Sequence, residues 1–295
     1  MSRVLVLGAS GLLGQYVTRE ALHRGHDVWG SYLSTPLPED GVEPIRVDLM
    51  KPPTIEAAFD QAEPEWAVLS AARTDVDDCE EVPQKALAVN AEGPEHVARL
   101  CRDRNVRLIH ISTDYVFDGE KGPYDEKARP NPVNYYGASK REGEVRVLKT
   151  FPGALVVRLC ALYGWNRIRG KSNSVTWILS SLRSAREVPL FADQRVSPTY
   201  AQEAADAILD LAPYLTAGYL HLATPDCVTR LELGKAIAEV FDLPLGLLRP
   251  TTFAAAQLLA PRPLHSCLTS TRRDVRLTKA PRPLREALAH MRDAE

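Results

Sequence analysis

Tyr136 and Lys140 stand four residues apart in Asn134-Tyr135-Tyr136-Gly137-Ala138-Ser139-Lys140. The segment 134–148 has helical periodicity, and at about 100° per residue the two side chains share one face, roughly 40° apart. A phenol ionises near pH ~10 in water, and a neighbouring ammonium lowers that value toward use at neutral pH. The pair is suited to moving a proton at a reacting oxygen. Tyr135 points about 140° away from Lys140 by the same rotation and is the poorer partner. Upstream, His110-Ile111-Ser112-Thr113-Asp114-Tyr115-Val116-Phe117-Asp118-Gly119 sets Thr113 at the end of a strand-like run, where its hydroxyl could hold the same oxygen. His110, inside that run, reads as a core residue.

A second constellation lies at the N-terminus. Gly8-Ala9-Ser10-Gly11-Leu12-Leu13-Gly14 follows an apolar run and opens a helical one. A dinucleotide pyrophosphate needs close backbone approach, which glycine permits, and free N–H groups at a helix start. GxxGxxG alone is a weak signal; the strand–turn–helix setting strengthens it. The second strand ends in Gly30-Ser31-Tyr32-Leu33-Ser34-Thr35, without the carboxylate that would hold the 2′-hydroxyl of NAD and without the arginine that favours NADP. A missing carboxylate removes repulsion against a 2′-phosphate, and the hydroxyls of this stretch could bind it. The reading favours NADP(H) over NAD(H), with Ser31, Tyr32 and Ser34 at the adenosine end. Asp48, followed by Leu49, could reach the adenine amino group or simply close a turn.

These residues need a scaffold that brings strand ends together. Val4–Leu7, Val28–Ser31, Ile45–Val47, Ala67–Leu69, Leu108–Ile111 and Leu155–Val157 read as buried strands. Helix-length segments at Leu13–Arg24, Thr54–Ala62, Ala86–Arg104 and Asn134–Leu148 separate most of them. Such alternation predicts an α/β protein with a doubly wound parallel sheet. Beyond Arg158 the spacing predicts helices at Ser174–Ala185, Gln202–Tyr214 and Thr229–Phe241, the last capped by Thr229 with Glu232, and a strand at Tyr219–Leu222. The tail, with Pro261-Arg262-Pro263 and Pro281-Arg282-Pro283, reads as short pieces. Residues 1–158, joined by 192–222, are expected to form the dinucleotide-binding domain. Residues 159–191 and 223–295 are expected to form a smaller α+β substrate lobe.

Composition excludes several classes. With 45% hydrophobic and 25% charged residues in 295, the chain is globular, and its net charge of −2 carries no basic excess for nucleic acid. No apolar run has the roughly 18 residues of a membrane span, and the start shows no signal peptide. The five scattered cysteines fit neither a zinc spacing nor a disulfide framework and read as reduced cytosolic thiols. The histidines lack metal spacing. Asp75, Asp77, Asp78, Glu80 and Glu81 could take Mg²⁺ but read better as a helix entry. No metal is expected, the expected compartment is the cytoplasm, and a homodimer is left open.

The sequence resembles the extended short-chain dehydrogenase/reductases, and within them the dTDP-4-dehydrorhamnose reductase group. The resemblance spans nearly the whole chain. It is carried by Gly8–Gly14, Ser70-Ala71-Ala72, Val89-Asn90-Ala91, Ser112–Gly119, Pro123-Tyr124-Asp125-Glu126, Tyr136–Lys140 with Gly143-Glu144, Arg158, Pro198-Thr199, and Arg262-Pro263 with Ser266. It implies a Rossmann fold and a catalytic triad of Thr113, Tyr136 and Lys140. Lys140 would also bind the nicotinamide ribose, and Ala71, Ala72 and Asn90 would line the cofactor cleft. Thr113, Asp114 and Tyr136 would face the sugar; apart from the resemblance, Thr74 and Arg195 are read as candidate substrate contacts. The implied reaction is reduction of the 4-keto group of a nucleotide-linked 6-deoxysugar.

The match departs where the family places a tryptophan near the sugar. Here the chain has Leu159-Cys160-Ala161-Leu162-Tyr163, with Trp165 close in sequence, and Arg195-Val196-Ser197 replaces small residues before Pro198-Thr199. Arg195 could pair with a diphosphate, and the cluster from Arg167 to Lys171 could steer an anionic substrate or be a solvated loop. Two alternatives stand beside the reductase. One is a sugar-nucleotide epimerase or dehydratase, which usually carries the acidic residue missing after the second strand. The other is a non-catalytic subunit, since the chain also resembles the regulatory subunit of methionine adenosyltransferase.

Overall fold

Strands apolar on both faces are stable only inside a sheet covered on both sides. β1 (Arg3–Leu7), β4 (Trp66–Leu69) and β6 (Leu155–Leu159) are of this kind. With β2 (Asp27–Tyr32), β3 (Val42–Arg46), β5 (Arg107–Thr113) and β9 (Gly218–Leu222) they form a seven-stranded sheet ordered β3-β2-β1-β4-β5-β6-β9. All its pairings are parallel. The strand order reverses at β1, which pairs with both β2 and β4 and so opens a crevice at the carboxyl ends. The computed structural model describes residues 1–36, 39–168, 172–214, 217–272, 274–275 and 277–295.

Successive strand residues point to opposite faces, and the core divides accordingly. Val4 and Val6 pack with α1 (Leu12–His23) and α8 (Ala201–Leu211), through Tyr16, Val17, Ala204 and Ile208. Leu5 and Leu7 pack with α2 (Pro52–Ala62) and α5 (Gly93–Asp103), through Ile55, Phe59, Val97 and Cys101. The predicted helix 86–104 is divided: α3 (Val76–Glu81) leads to α4 (Pro83–Leu87), then a π-helical turn (Ala88–Glu92), then α5. Pro94 has no N–H to close an ordinary helical turn, and the wider turn before it absorbs the missing bond. α6 (Tyr135–Thr150) starts where expected, because the Asn134 side chain accepts from the Gly137 N–H at 2.8 Å.

Beside the sheet, α7 (Ser174–Arg183), α9 (Arg230–Val240) and α10 (Leu284–Asp293) pack around Leu179, Leu233, Ile237 and Leu288. β7 (Val188–Phe191) pairs with β11 (Leu248–Thr251), and β8 (Arg195–Val196) with β10 (Val228–Thr229). The capping box Thr229/Glu232 opens α9 as its spacing predicts. α10 corrects the reading of the tail as short pieces: Pro283 stands at its N-cap, where a proline starts a helix rather than breaking one.

A second correction concerns the thiols. Cys227 and Cys267, 40 residues apart, form a disulfide with their Cα atoms 5.7 Å apart, while Cys79, Cys101 and Cys160 are free and buried. Sequence spacing could not reveal the pair, because the contact depends on the 264–266 segment lying along Arg195. Within the basic cluster, residues 169–171 lie outside the described residues. Among the described residues no helix is long and apolar enough to cross a membrane.

Candidate active site

The glycine loop sits at the mouth of the crevice. A Cβ on Gly8 (φ 94°) would lie 2.6 Å from the Ala71 nitrogen, and one on Gly14 would lie 2.1 Å from the Gly8 carbonyl oxygen. Both contacts forbid a side chain, so helix α1 begins directly against β1. Gly11 is the N-cap and no side chain caps the first turn of α1, whose N–H groups through Leu12 and Leu13 are left for an anion. The chemistry of this cradle fits a pyrophosphate. Ser31 is buried and its hydroxyl accepts from the Gly8 N–H at 2.9 Å. It therefore braces the loop, while Ser34 is exposed and Tyr32 half-buried at the strand end. Asp48 closes the turn before α2, accepting from the Met50 N–H at 3.0 Å, and Leu49 packs against Gly93.

On the other side of the crevice, residues 70–74 follow β4. Asn90, in the π-helical turn, holds this segment: its Oδ1 accepts from the Arg73 N–H at 2.9 Å and its Nδ2 donates to the Arg73 carbonyl at 3.0 Å. The same amide donates to Ser139 on α6 at 3.0 Å. Asn90 thus ties the Ala71–Ala72 wall to the helix that carries Tyr136. Thr74, beyond it, is exposed.

Tyr136, Lys140 and Thr113 converge at the carboxyl end of β5. Lys140 Nζ donates to the Ile111 carbonyl at 2.7 Å, and the Thr113 hydroxyl lies near enough to the Tyr136 phenol to influence its ionisation. Tyr135 is exposed and turned away, as its helical position predicts. Burial pushes the Tyr136 phenol above its ordinary value, and the nearby Thr113 side chain only partly offsets this. That corrects the expectation of an ammonium-lowered phenol: Tyr136 is held neutral, the form a proton donor needs. Burial lowers Lys140 to about 8, with the Glu144 carboxylate opposing that shift.

Glu144, one helical turn beyond Lys140, is fully buried and anchors the arrangement. Its Oε1 accepts from Ser112 Oγ at 2.6 Å and from Arg158 Nε at 2.8 Å. Its Oε2 accepts from Arg158 at 2.7 Å and from Arg141 at 2.9 Å. The Arg158 guanidinium lies between the rings of Phe117 and Tyr219, 5.1 Å and 4.3 Å from their centres. One carboxylate therefore locks α6, β5 and β6 together directly beneath the triad. Glu144 and Arg158 both belong to the segments that carry the family resemblance, but their partnership was not legible in spacing.

Asp114 is buried next to Thr113, which donates to it at 3.1 Å, with Cys160 and Ser266 also against its carboxylate. Burial raises its pKa against those hydrogen bonds. Next to this lies an open cavity of about 600 Å³ lined by Asp118, Gly119, Glu120, Val133, Asp193, Arg195, Pro261, Arg262, Leu264 and His265. Arg195 is exposed on its wall. Arg262, which sequence reasoning left without a role, shares the wall and pairs with Asp77 at 2.9 Å. The acidic patch is structural: Asp75 caps α3, and Glu80 accepts from the Tyr135 N–H at 2.7 Å. Trp165 donates to the Met291 carbonyl at 2.8 Å and packs on Phe241, so it belongs to the lobe core.

The sheet order, the glycine cradle and the phenol–ammonium–hydroxyl group at one strand end define a Rossmann-type α/β protein of the extended short-chain dehydrogenase/reductase class. Within that class, the chain belongs to the family described as RmlD substrate binding domain, which matches residues 2–295. It is 38% identical over 268 residues to the probable low-salt glycan biosynthesis reductase Agl14 of Haloferax volcanii, covering 89% of this chain and 88% of that protein. It is 31% identical over 277 residues to methionine adenosyltransferase 2 subunit beta of Danio rerio, covering 92% and 83%. The structure superposes with TM-score 0.88 on dTDP-4-dehydrorhamnose reductase from Bacillus anthracis in complex with NADP, at 26% identity over 100% of this chain and 99% of that one.

Proposed function

We propose that this protein uses NAD(P)H, with NADPH preferred, to reduce the 4-keto group of a nucleotide-linked 6-deoxysugar. The observation that carries the reading is the gathering of the Tyr136 phenol and the Thr113 hydroxyl at one strand end, with Lys140 anchored on the Ile111 carbonyl of the same strand. Likeness to a reductase complexed with NADP supports it, as does likeness to a glycan biosynthesis reductase. The Gly8, Gly11 and Gly14 backbone with the N–H groups of Ser10, Leu12 and Leu13 would hold the pyrophosphate. Tyr32, Ser34, Asp48 and Leu49 would flank the adenosine, Ser31 supporting from behind. Ala71 and Ala72, braced by Asn90, would flank the nicotinamide side.

When bound, the nicotinamide supplies the hydride that reaches the sugar carbonyl carbon. Tyr136 then gives its proton to the oxygen on which negative charge develops, and the Thr113 hydroxyl donates a hydrogen bond to that oxygen. The Lys140 ammonium would hold the nicotinamide ribose. Asp114, with Thr74 and Arg195 further out, would position the sugar and its diphosphate. The lobe formed by 159–191 and 223–295 would close over the nucleotide, against a cofactor domain of 1–158 with 192–222. The cytoplasm is the proposed compartment, and a homodimer is compatible with the reading.

Incubating the purified protein with a dTDP-linked 4-keto-6-deoxysugar and NADPH should consume absorbance at the reduced nicotinamide band, and NADH should serve less well. A second reading is a regulatory subunit, favoured by the likeness to methionine adenosyltransferase 2 subunit beta. It predicts cofactor binding without turnover on any sugar of a panel. The intact Thr113, Tyr136 and Lys140 side chains favour the reductase.

A further inference from the structure

The Cys227–Cys267 disulfide lies outside the proton-transfer site but beside its wall. The segment that carries Cys267 is pinned along its length. Asn134 donates to the Pro261 carbonyl at 2.9 Å, Gln194 to the Pro263 carbonyl at 3.1 Å, and the His265 N–H to the Gly119 carbonyl at 3.0 Å. The Cys267 carbonyl accepts from the Tyr124 N–H at 2.8 Å. Ser266, its neighbour in sequence, touches the Asp114 carboxylate. Cys227 precedes β10 and the capped start of α9. The bond thus joins the α9 side of the lobe to the wall that meets Asp114.

The two sulfurs differ in access. Cys227 is half-buried and Cys267 fully buried. His265 places Nε2 3.3 Å from Cys227 Sγ, and the Arg195 side chain donates to the Cys227 carbonyl at 3.3 Å. An imidazole nitrogen within reach of one sulfur, and of the more accessible one, is placed to exchange a proton with it. Burial and the Arg195 charge keep the imidazole neutral and able to accept a proton. In the cytoplasm, the compartment proposed above and on which this point rests, a disulfide is ordinarily a transient or redox-sensing one.

We propose that Cys227–Cys267 is an exchange-competent redox site, with Cys227 as the reacting sulfur and His265 as its proton partner, and that its closure holds the 260–268 wall against the Asp114 site. Reduction by an external dithiol starts when a thiolate attacks Cys227 Sγ. A bond forms between those two sulfurs, the Cys227–Cys267 bond breaks, and its electron pair leaves with Cys267, which takes a proton. The second external thiolate then attacks its own mixed-disulfide sulfur and releases Cys227 as a thiolate, which also takes a proton. The protein gains two electrons and two protons, and the dithiol becomes a disulfide. In the reverse direction His265 receives the Cys227 proton.

The test uses the full chain and does not depend on turnover. The native protein, purified without reductant, is equilibrated in mixtures of reduced and oxidised dithiothreitol, alkylated and mapped by mass spectrometry. Residues 227 and 267 should gain two alkyl groups together without unfolding. Amide hydrogen exchange across 260–268 should then rise at least about fivefold while that of β1 stays constant. In Cys267→Ser, Cys227 should alkylate at least about tenfold faster than Cys267 does in Cys227→Ser, and adding His265→Gln to the former should slow it at least about threefold at pH 7. A bond that opens only in denaturant overturns the proposal, as does faster reaction at Cys267 or unchanged exchange in 260–268. So does a reduced protein that binds one Zn²⁺ on Cys227, His265 and Cys267 and resists reoxidation, which would make the trio a metal site instead.

Discussion

Lys140 Nζ lies 2.7 Å from the carbonyl oxygen of Ile111, two residues before Thr113 on the same strand. Helical periodicity can align Lys140 with Tyr136, but only this cross-element bond sets both above the end of β5. The ammonium, the phenol and the threonine hydroxyl are thereby referred to one rigid strand.

Removing only the proton donor tests the chemistry. Tyr136→Phe should lower kcat by about 10²–10⁴-fold in NADPH-consumption assays with a 4-keto sugar nucleotide. Cofactor affinity by fluorescence titration should stay within about twofold. Turnover near the wild-type rate would assign the proton to another group.

The pH dependence follows from burial of Lys140, whose ammonium is lowered to about 8 in the folded chain. The charged form that would hold the nicotinamide ribose is lost as pH rises through that value, so kcat/KM should fall above about pH 8. Stability moves the other way. Between about 8 and the unfolded value of 10.5 the unfolded chain holds the extra proton, so this group makes unfolding less favourable as pH rises. Lys140→Met should remove that slope in denaturant titrations at several pH values.

Glu144 is expected to matter for stability first. Glu144→Ala leaves the Arg158 charge buried without its partner, and unfolding free energy should drop by about 3–5 kcal/mol in urea titrations. Burial alone would raise the Glu144 carboxyl, but hydrogen bonds and charge from Arg158 outweigh it and hold it low. Its stabilisation is therefore present above the ordinary carboxylate value and lost as pH falls through the lowered one. Acid titration of the variant should show a shallower loss than the parent.

The adenosine end can be tested by charge. Ser34→Asp puts a carboxylate at the exposed end of β2, where a 2′-phosphate would be repelled and a 2′-hydroxyl accepted. The NADPH KM should rise at least about tenfold, or about 1.4 kcal/mol, with that for NADH unchanged or lower. Ser31→Ala, which removes the brace on Gly8, should weaken both cofactors alike. Equal loss of both with Ser34→Asp would remove Ser34 from the site.

Steric closure gives a fifth test. A Cβ at Gly14 meets the Gly8 carbonyl oxygen at 2.1 Å, so Gly14→Ala must displace α1 from the loop. Stability should fall by about 1–3 kcal/mol and cofactor binding should be lost. Retained NADPH affinity in calorimetry would contradict the cradle.

Short-range patterns in the chain were enough for the parallel α/β fold, the glycine loop and the Tyr136–Lys140 face. They rest on periodicity and on backbone freedom, which neighbours within a few residues decide. Thr229 with Glu232 and Asn134 with Gly137 belong to the same class, since each cap closes within three residues. Tertiary structure decided the rest. Ser31 turned inward to Gly8, Asn90 clamped Arg73 to Ser139, Glu144 gathered Arg158, Ser112 and Arg141, and Cys227 found Cys267. Each of these partnerships depends on the closure of long loops and on burial that makes an unpaired polar group costly, and neither is written in local spacing.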